Sequence, residues 1–136
     1  MTRKQKSFFD AAEAVSHSSD YPRIHIGCVA TYGNHRIISS GCNSNKTHPI
    51  QKKYNKERFD SDYSRHSLHA EITTLLPLMK EDIDFSKVEI YTHRRRANGS
   101  LSMARPCPSC MALIKDLGIK KIWYTTEDGY ACEFVN

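Results

Sequence analysis

His69-Ala70-Glu71 and Pro106-Cys107-Pro108-Ser109-Cys110 are the two stretches of this 136-residue chain whose residue types and spacing could do chemistry. Two thiols and an imidazole are donors that zinc prefers, and a set of three leaves the fourth tetrahedral position to water. Each stretch falls at the predicted N-terminus of a helix, where the helix dipole favours the ionised thiol that a metal requires. Neighbouring helix starts can bring His69, Cys107 and Cys110 to one point above a sheet. Glu71, two residues from His69, could then reach the water, accept its proton and pass it to a substrate nitrogen. That combination suits hydrolytic deamination of an amidine-like ring carbon, such as C4 of cytosine. The competing reading is a structural zinc site, with Cys28, Cys42 or Cys132 closing a four-ligand shell and Glu71 facing solvent. The sequence has no Rossmann glycine fingerprint, P-loop or nucleophile elbow, so hydride, phosphoryl and acyl transfer lack comparable support.

The elements that must position these residues follow from periodicity. Ser7 to Val15 has apolar residues at helical intervals, with Tyr21-Pro22 as the stop. Ile24 to Ala30 and Arg36 to Gly41 predict a hairpin turning at Gly33-Asn34, residues that tolerate left-handed dihedrals. From Cys42 to His66 the chain is polar and basic; its length predicts a short helix within it or a functional role. A helix is expected from about Leu68, with Ile72, Leu75, Leu76 and Met79 as its apolar stripe and Pro77 as a kink or stop. Val88 to Thr92 predicts a third strand, and Asn98-Gly99 a turn that makes 93–103 a projecting hairpin. The helix after Pro106 turns Met111, Ile114 and Leu117 inward and ends at Gly118. Ile119 to Thr126 and Tyr130 to Val135 are the last two strands, the final one at an edge. The order α-β-β-α-β-α-β-β predicts an α/β fold with a central sheet flanked by helices.

Composition sets the frame. Hydrophobic residues make up 39% and charged residues 26%, which describes one folded domain over residues 1–136. No apolar run approaches the roughly 18 residues of a membrane span, so no membrane role and a cytoplasmic location are expected. Twenty Lys and Arg against 15 Asp and Glu leave a net charge of +5, which favours anionic partners. Five cysteines with one close pair fit free thiols or metal thiolates better than a disulfide framework. His17, His25, His35, His66 and His93 are expected to be surface or packing residues. Cys28 and Cys132 are expected to be small buried residues in strands.

At His69-Ala70-Glu71 and Pro106-Cys107-Pro108-Ser109-Cys110 the sequence resembles the zinc-dependent cytidine/deoxycytidylate deaminase superfamily, whose signature is H-x-E followed by P-C-x-x-C. The resemblance runs over roughly residues 5 to 126. It implies a three-layer α/β/α fold with a mixed sheet of about five strands. His69, Cys107 and Cys110 would be ligands of one catalytic Zn2+, with Glu71 as proton shuttle. The backbone N–H groups of Ala70 and Cys107 would lie near the reacting centre. Gly41-Cys42-Asn43 resembles the family's Gly-x-Asn segment and implies that Asn43 contacts the substrate.

His69 in the first ligand position is similar to the deoxycytidylate, guanine and RNA-adenosine deaminases, and Pro106 to Thr126 is most similar to the deoxycytidylate branch, which implies a small nucleotide substrate, dCMP before CMP or dCTP. Lys46, His48, Arg94, Arg95 and Arg96 are then the phosphate candidates. Two features depart from that branch: the stretch Arg94 to Met103 is longer and more basic, and Thr126 to Gly129 is too short for a crossover helix. The second predicts an antiparallel last strand, which is similar to the free cytidine deaminases. The family resemblance also implies a homo-oligomer. An RNA or single-stranded DNA substrate would need stacking platforms, for which Tyr54, Phe59 and Tyr63 are the candidates. A nucleobase deaminase would be indifferent to phosphate, and a zinc-stabilised binding module would fold around the metal without turning anything over.

Overall fold

The computed structural model describes residues 1–21, 24–46, 48–55 and 68–135, apart from the side chains of Lys52 and Asn55. Helix α1 spans Arg3–Ser16, beginning before the apolar face does because Thr2 caps it. The Thr2 hydroxyl accepts from the Gln5 N–H at 3.1 Å, and the Gln5 side chain accepts from the Thr2 N–H at 2.8 Å. Strands β1 (His25–Tyr32) and β2 (Arg36–Cys42) form the expected hairpin, with Gly33 and Asn34 at φ of 59° and 58° in its turn. The basic stretch contains a short helix, α2 (Pro49–Asn55). Arg58, Phe59, Tyr63, Arg65 and His66 lie outside the described residues.

Helix α3 spans Ala70–Leu75, two residues later than expected, because the Leu68 backbone is engaged in a two-bond bridge with Ser44. Pro77 ends the helix, as its missing N–H and ring require, and a 3₁₀ turn covers Pro77–Lys80. Leu76 and Met79 therefore belong to the turn and are only half-buried. Strand β3 (Val88–Arg95) follows, and the Arg96 to Ser100 reversal carries Gly99 at φ 91°. Helix α4 (Pro108–Leu117) ends at Gly118, whose φ of 93° is the left-handed cap expected there. Strands β4 (Lys121–Thr126) and β5 (Gly129–Phe134) complete the chain.

The sheet order is β2-β1-β3-β4-β5, with β3 and β4 parallel and every other pair antiparallel. The antiparallel β5 at the edge is what the short Thr126–Gly129 connection dictates. Helix α1 covers one face through Phe8, Phe9 and Ala12 against Val29, Tyr91 and Trp123. Helices α3 and α4 cover the other, with Ile72, Leu75, Leu113 and Ile114 against Cys28, Ala30, Ile90 and Ile122. This is the three-layer α/β/α fold with a five-stranded mixed sheet.

Two glycines let the helices lie close. A Cβ on Gly27 would stand 1.9 Å from the Ala12 carbonyl oxygen of α1. One on Gly41 would stand 2.7 Å from the Thr73 Cγ2 and 3.0 Å from the Thr74 N of α3. The second contact seats α3 directly on the hairpin through Thr73 and Thr74.

Cys132 is exposed, contrary to expectation, because α1 reaches Tyr130 but leaves the later residues of β5 on that face, Cys132 and Phe134, uncovered. His93 is a packing histidine, 2% exposed beneath α1. Its Nε2 lies 3.4 Å from Glu13 Oε2, while its buried Nδ1 has no hydrogen-bond partner among the described residues. Burial holds its pKa below the ordinary value; Arg95 and Lys6 push the same way, and Glu13 and Asp10 oppose them.

The folded chain thus refuses a proton that unfolded His93 accepts. His93 contributes stability that is fully present above about pH 6.5 and is lost as the pH falls through its lowered folded value. Replacing it, His93→Leu, is expected to flatten the fall in stability below that pH. Urea unfolding at pH 5.5 and 7.5 checks this, and an unchanged difference between the two would contradict it.

Candidate metal centre and active site

The segments before the two chemistry-bearing helices are held by contacts distant in sequence. The Ser44–Leu68 bridge ties the chain leaving β2 to the chain entering α3. Beside it, the His69 N–H donates to Gln51 Oε1 at 3.0 Å; Gln51 is wholly buried on α2. The His69 carbonyl accepts from the Thr73 N–H and hydroxyl at 3.0 and 3.1 Å. His69 is therefore fixed as the N-cap of α3, and its ring turns toward α4. Cys107 holds the equivalent place before α4, with extended backbone at φ −67°, ψ 167° ahead of Pro108.

His69 Nδ1 lies 3.3 Å from Cys110 Sγ and 3.4 Å from Cys107 Sγ. The three donors lie within 4.8 Å of one another. With bonds of roughly 2.0 to 2.3 Å, a tetrahedral zinc ion spaces such atoms about 3.5 to 3.8 Å apart. The donor set and its spacing therefore fit zinc. Cys110 is wholly buried and donates to Cys107, which holds the Cys107 thiol well below its ordinary pKa and pushes Cys110 up. The Ser109 hydroxyl, also fully buried, lies 3.0 Å from Cys107 Sγ and favours the same thiolate.

None of the cysteines considered for a fourth ligand joins this group. Cys28 is buried in β1, its thiol pushed up to about 12 chiefly by desolvation. Cys42 is half-buried at the end of β2, and Cys132 is exposed on the far face. Glu71, 5% exposed on the first turn of α3, has its pKa raised to about 7. Burial is the main cause; the nearby His69 opposes it and Cys107 adds to it. Ala70, wholly buried, is the first residue of α3, so the helix itself leaves its N–H unused.

Asn43 sits at the same end of the sheet, but its amide is largely engaged. Its Oδ1 accepts from the Ser19 hydroxyl at 2.6 Å and the Ile26 N–H at 3.0 Å, and its Nδ2 donates to the Ile24 carbonyl at 2.7 Å. Asn43 thus pins the entry of β1, with one Nδ2 hydrogen left over among the described residues.

The three consecutive arginines do not form one cluster. Arg94 lies on the face of β3 that carries Thr92, toward the metal-binding side, with Nη1 donating to the Met103 carbonyl at 3.4 Å. Arg95 turns to the α1 face, 3.8 Å from Glu13 and 3.2 Å from His17. Arg96 is paired with Glu127 at 2.6 Å. Lys46 is exposed beyond β2, and His48 Nδ1 accepts from the Ile50 N–H at the start of α2. Tyr54 is buried and donates to Asp116 at 2.8 Å, so it is no stacking platform; Phe59 and Tyr63 lie outside the described residues.

Sequence reasoning missed Gln51, Ser109 and the Ser44–Leu68 bridge. Only Ser109 carried a local signal, its place between the two cysteines.

A thiolate-rich three-donor centre with a buried carboxyl one helical step away is built for adding water and moving protons. That places the chain among the metal-dependent deaminases, and the comparisons give the family. Residues 1–126 match the family described as "Cytidine and deoxycytidylate deaminase zinc-binding region", and the chain belongs to it. It is 31% identical over 118 residues to a protein described as an uncharacterized deaminase in the luxG 3′ region of Aliivibrio fischeri, covering 87% of this chain and 69% of that one.

Among solved structures, the dCMP deaminase of cyanophage S-TIM5 in apo form superposes with a TM-score of 0.65 at 22% identity, covering 93% of this chain and 86% of that one. The cytidine deaminase of Burkholderia pseudomallei also gives 0.65, at 15% identity over 98% and 93% of the two chains. That of Mycobacterium leprae gives 0.57, at 18% identity over 93% and 91%. These likenesses show a shared fold. No helix among the described residues is long and apolar enough to cross a membrane.

Proposed function

We propose that this chain, acting as a single catalytic domain, deaminates a cytosine nucleotide, dCMP before CMP or dCTP, to the uracil nucleotide and ammonia. The observation that carries the reading is the convergence of His69, Cys107 and Cys110 beside a buried Glu71. The three donors hold Zn2+, which when bound supplies Lewis-acid activation of water near neutral pH. Glu71 takes the proton of the attacking water and delivers it to the ring nitrogen beside C4. It then carries a proton to the departing amino group, so ammonia leaves and a ring carbonyl remains. The N–H groups of Ala70 and Cys107, at the starts of α3 and α4, face this reaction, and the remaining Nδ2 hydrogen of Asn43 is available to the sugar.

With Arg95 held by α1 and Arg96 by Glu127, the 5′-phosphate falls to Arg94, Lys46 and His48. A cyanophage dCMP deaminase of the same fold, known in complex with dCMP and dUMP, supports dCMP as the substrate of this reading. The antiparallel β5 favours a second reading, a free-nucleoside deaminase. Arg94→Ala and Lys46→Ala are expected to raise KM for dCMP by about tenfold each while leaving deoxycytidine turnover unchanged, the loss of one charge-assisted contact. Steady-state ammonia release on both substrates checks this, and an equal effect on the two would contradict phosphate recognition. The five free thiols fit a reducing, cytoplasmic setting. A homo-oligomer, which the family resemblance implies, is part of the same reading.

A further inference from the structure

Residues 127–135 lie beyond the stretch that matches the family, yet one of them grips Arg105, two residues before the Cys107 donor. Pairing of Ile122 with Glu133 places the Glu133 side chain on the face of the sheet that carries α4. There its carboxylate takes both prongs of Arg105, Oε1 from Nε at 2.9 Å and Oε2 from Nη2 at 2.8 Å. The Tyr124 hydroxyl donates to the same Oε1 at 3.0 Å. Ordinary surface ion pairs contribute little, and this one is half in solvent, with side chains 50% and 29% exposed. It differs in two respects. The bidentate geometry with a third donor fixes both partners, and Arg105 stands two residues before Cys107 in the run Arg105-Pro106-Cys107-Pro108.

Two prolines make that run a stiff lever. Each fixes its own φ and forces the preceding residue, Arg105 or Cys107, into extended backbone; Cys107 has φ −67° and ψ 167°. The strand-like path leading to it is fastened at Ser102, whose carbonyl accepts from Thr125 Oγ1 at 2.7 Å. It is fastened again at Ala104, whose N–H donates to the Thr125 carbonyl at 2.9 Å. Arg105 is the last side-chain anchor before the thiol. We propose that Glu133, by gripping Arg105, is a positioning residue for Cys107, so that the terminal strand is a working part of the metal centre. This rests on the reading of Cys107 as a zinc ligand.

The test uses the full zinc-loaded chain. Zinc transfer to the chromophoric chelator 4-(2-pyridylazo)resorcinol is timed for wild type, Glu133→Ala, Glu133→Gln and Phe134→Ala. The last sits on the same strand but on the opposite face. Glu133→Ala is expected to release zinc about tenfold faster, the usual cost of losing an outer support of a metal ligand. Its cobalt-substituted form is expected to show a shifted thiolate-to-cobalt absorption band. Glu133→Gln, whose amide oxygen still accepts from Arg105, is expected to lie between it and wild type, and Phe134→Ala to match wild type in both readouts. Release from Glu133→Ala at the wild-type rate would overturn the proposal. So would equal acceleration in Phe134→Ala, which would show general loosening of the strand. A wild-type chain that takes up no zinc would overturn the ligand assignment itself, a separate and distinguishable result.

Discussion

Replacing Glu71 by Gln is expected to reduce ammonia release by about 10⁴-fold, the upper end of what a positioned general acid–base supplies, with zinc content unchanged. Gln matches the volume of Glu, so α3, which packs tightly on Gly41 through Thr73 and Thr74, need not move. It lacks the capacity to accept a proton from water and return it to nitrogen. Glu71 is not among the three clustered donors, so its loss leaves the metal in place. A buried carboxyl is also costly to ionise, so the amide is not expected to lower the melting temperature. Metal analysis and steady-state rates on the same preparation check the prediction. Activity within tenfold of wild type at full zinc content would remove Glu71 from the chemistry.

Cys110→Ala is expected to remove both metal and activity. Cys110 is fully buried and supplies one of the three clustered donors among the described residues. Zinc content should fall from about one ion per chain to a small fraction, since two ligands do not hold the ion against solvent. Ammonia release should fall to background. Cys28→Ala, Cys42→Ala and Cys132→Ala are expected to keep their zinc, because none of these sulfurs belongs to the cluster. Retention of zinc in Cys110→Ala, or its loss in any of the other three, would point instead to a four-ligand structural shell.

The features that the chain announces locally are those whose partners are a few residues apart. His69 and Glu71 share one helical turn, Cys107 and Cys110 another, so their spacing alone states the donor set. Gly118 and the Gly33-Asn34 turn are legible because only certain residues take left-handed dihedrals without cost. The antiparallel β5 follows from chain length, since four residues cannot make a crossover.

What is not legible depends on residues far apart in sequence. Nothing around Gln51 says that it will accept from His69 eighteen positions on, and nothing near Glu133 points to Arg105. The run Arg94-Arg95-Arg96 looks like one patch in sequence. Strand pleat sends Arg95 to the α1 face, opposite Arg94, and Arg96, past the end of β3, is drawn to Glu127. Residue type alone puts Cys132 inside, and its actual place is decided by where α1 stops.

The most direct test is ammonia release by the zinc-loaded chain from deoxycytidine, dCMP, CMP, dCTP, guanine and a cytosine-containing single strand. Turnover of dCMP is expected well above that of every other member of the set, with its loss in Glu71→Gln. Silence across the set at full zinc content would contradict catalysis at this centre, leaving a zinc-stabilised module in place of an enzyme.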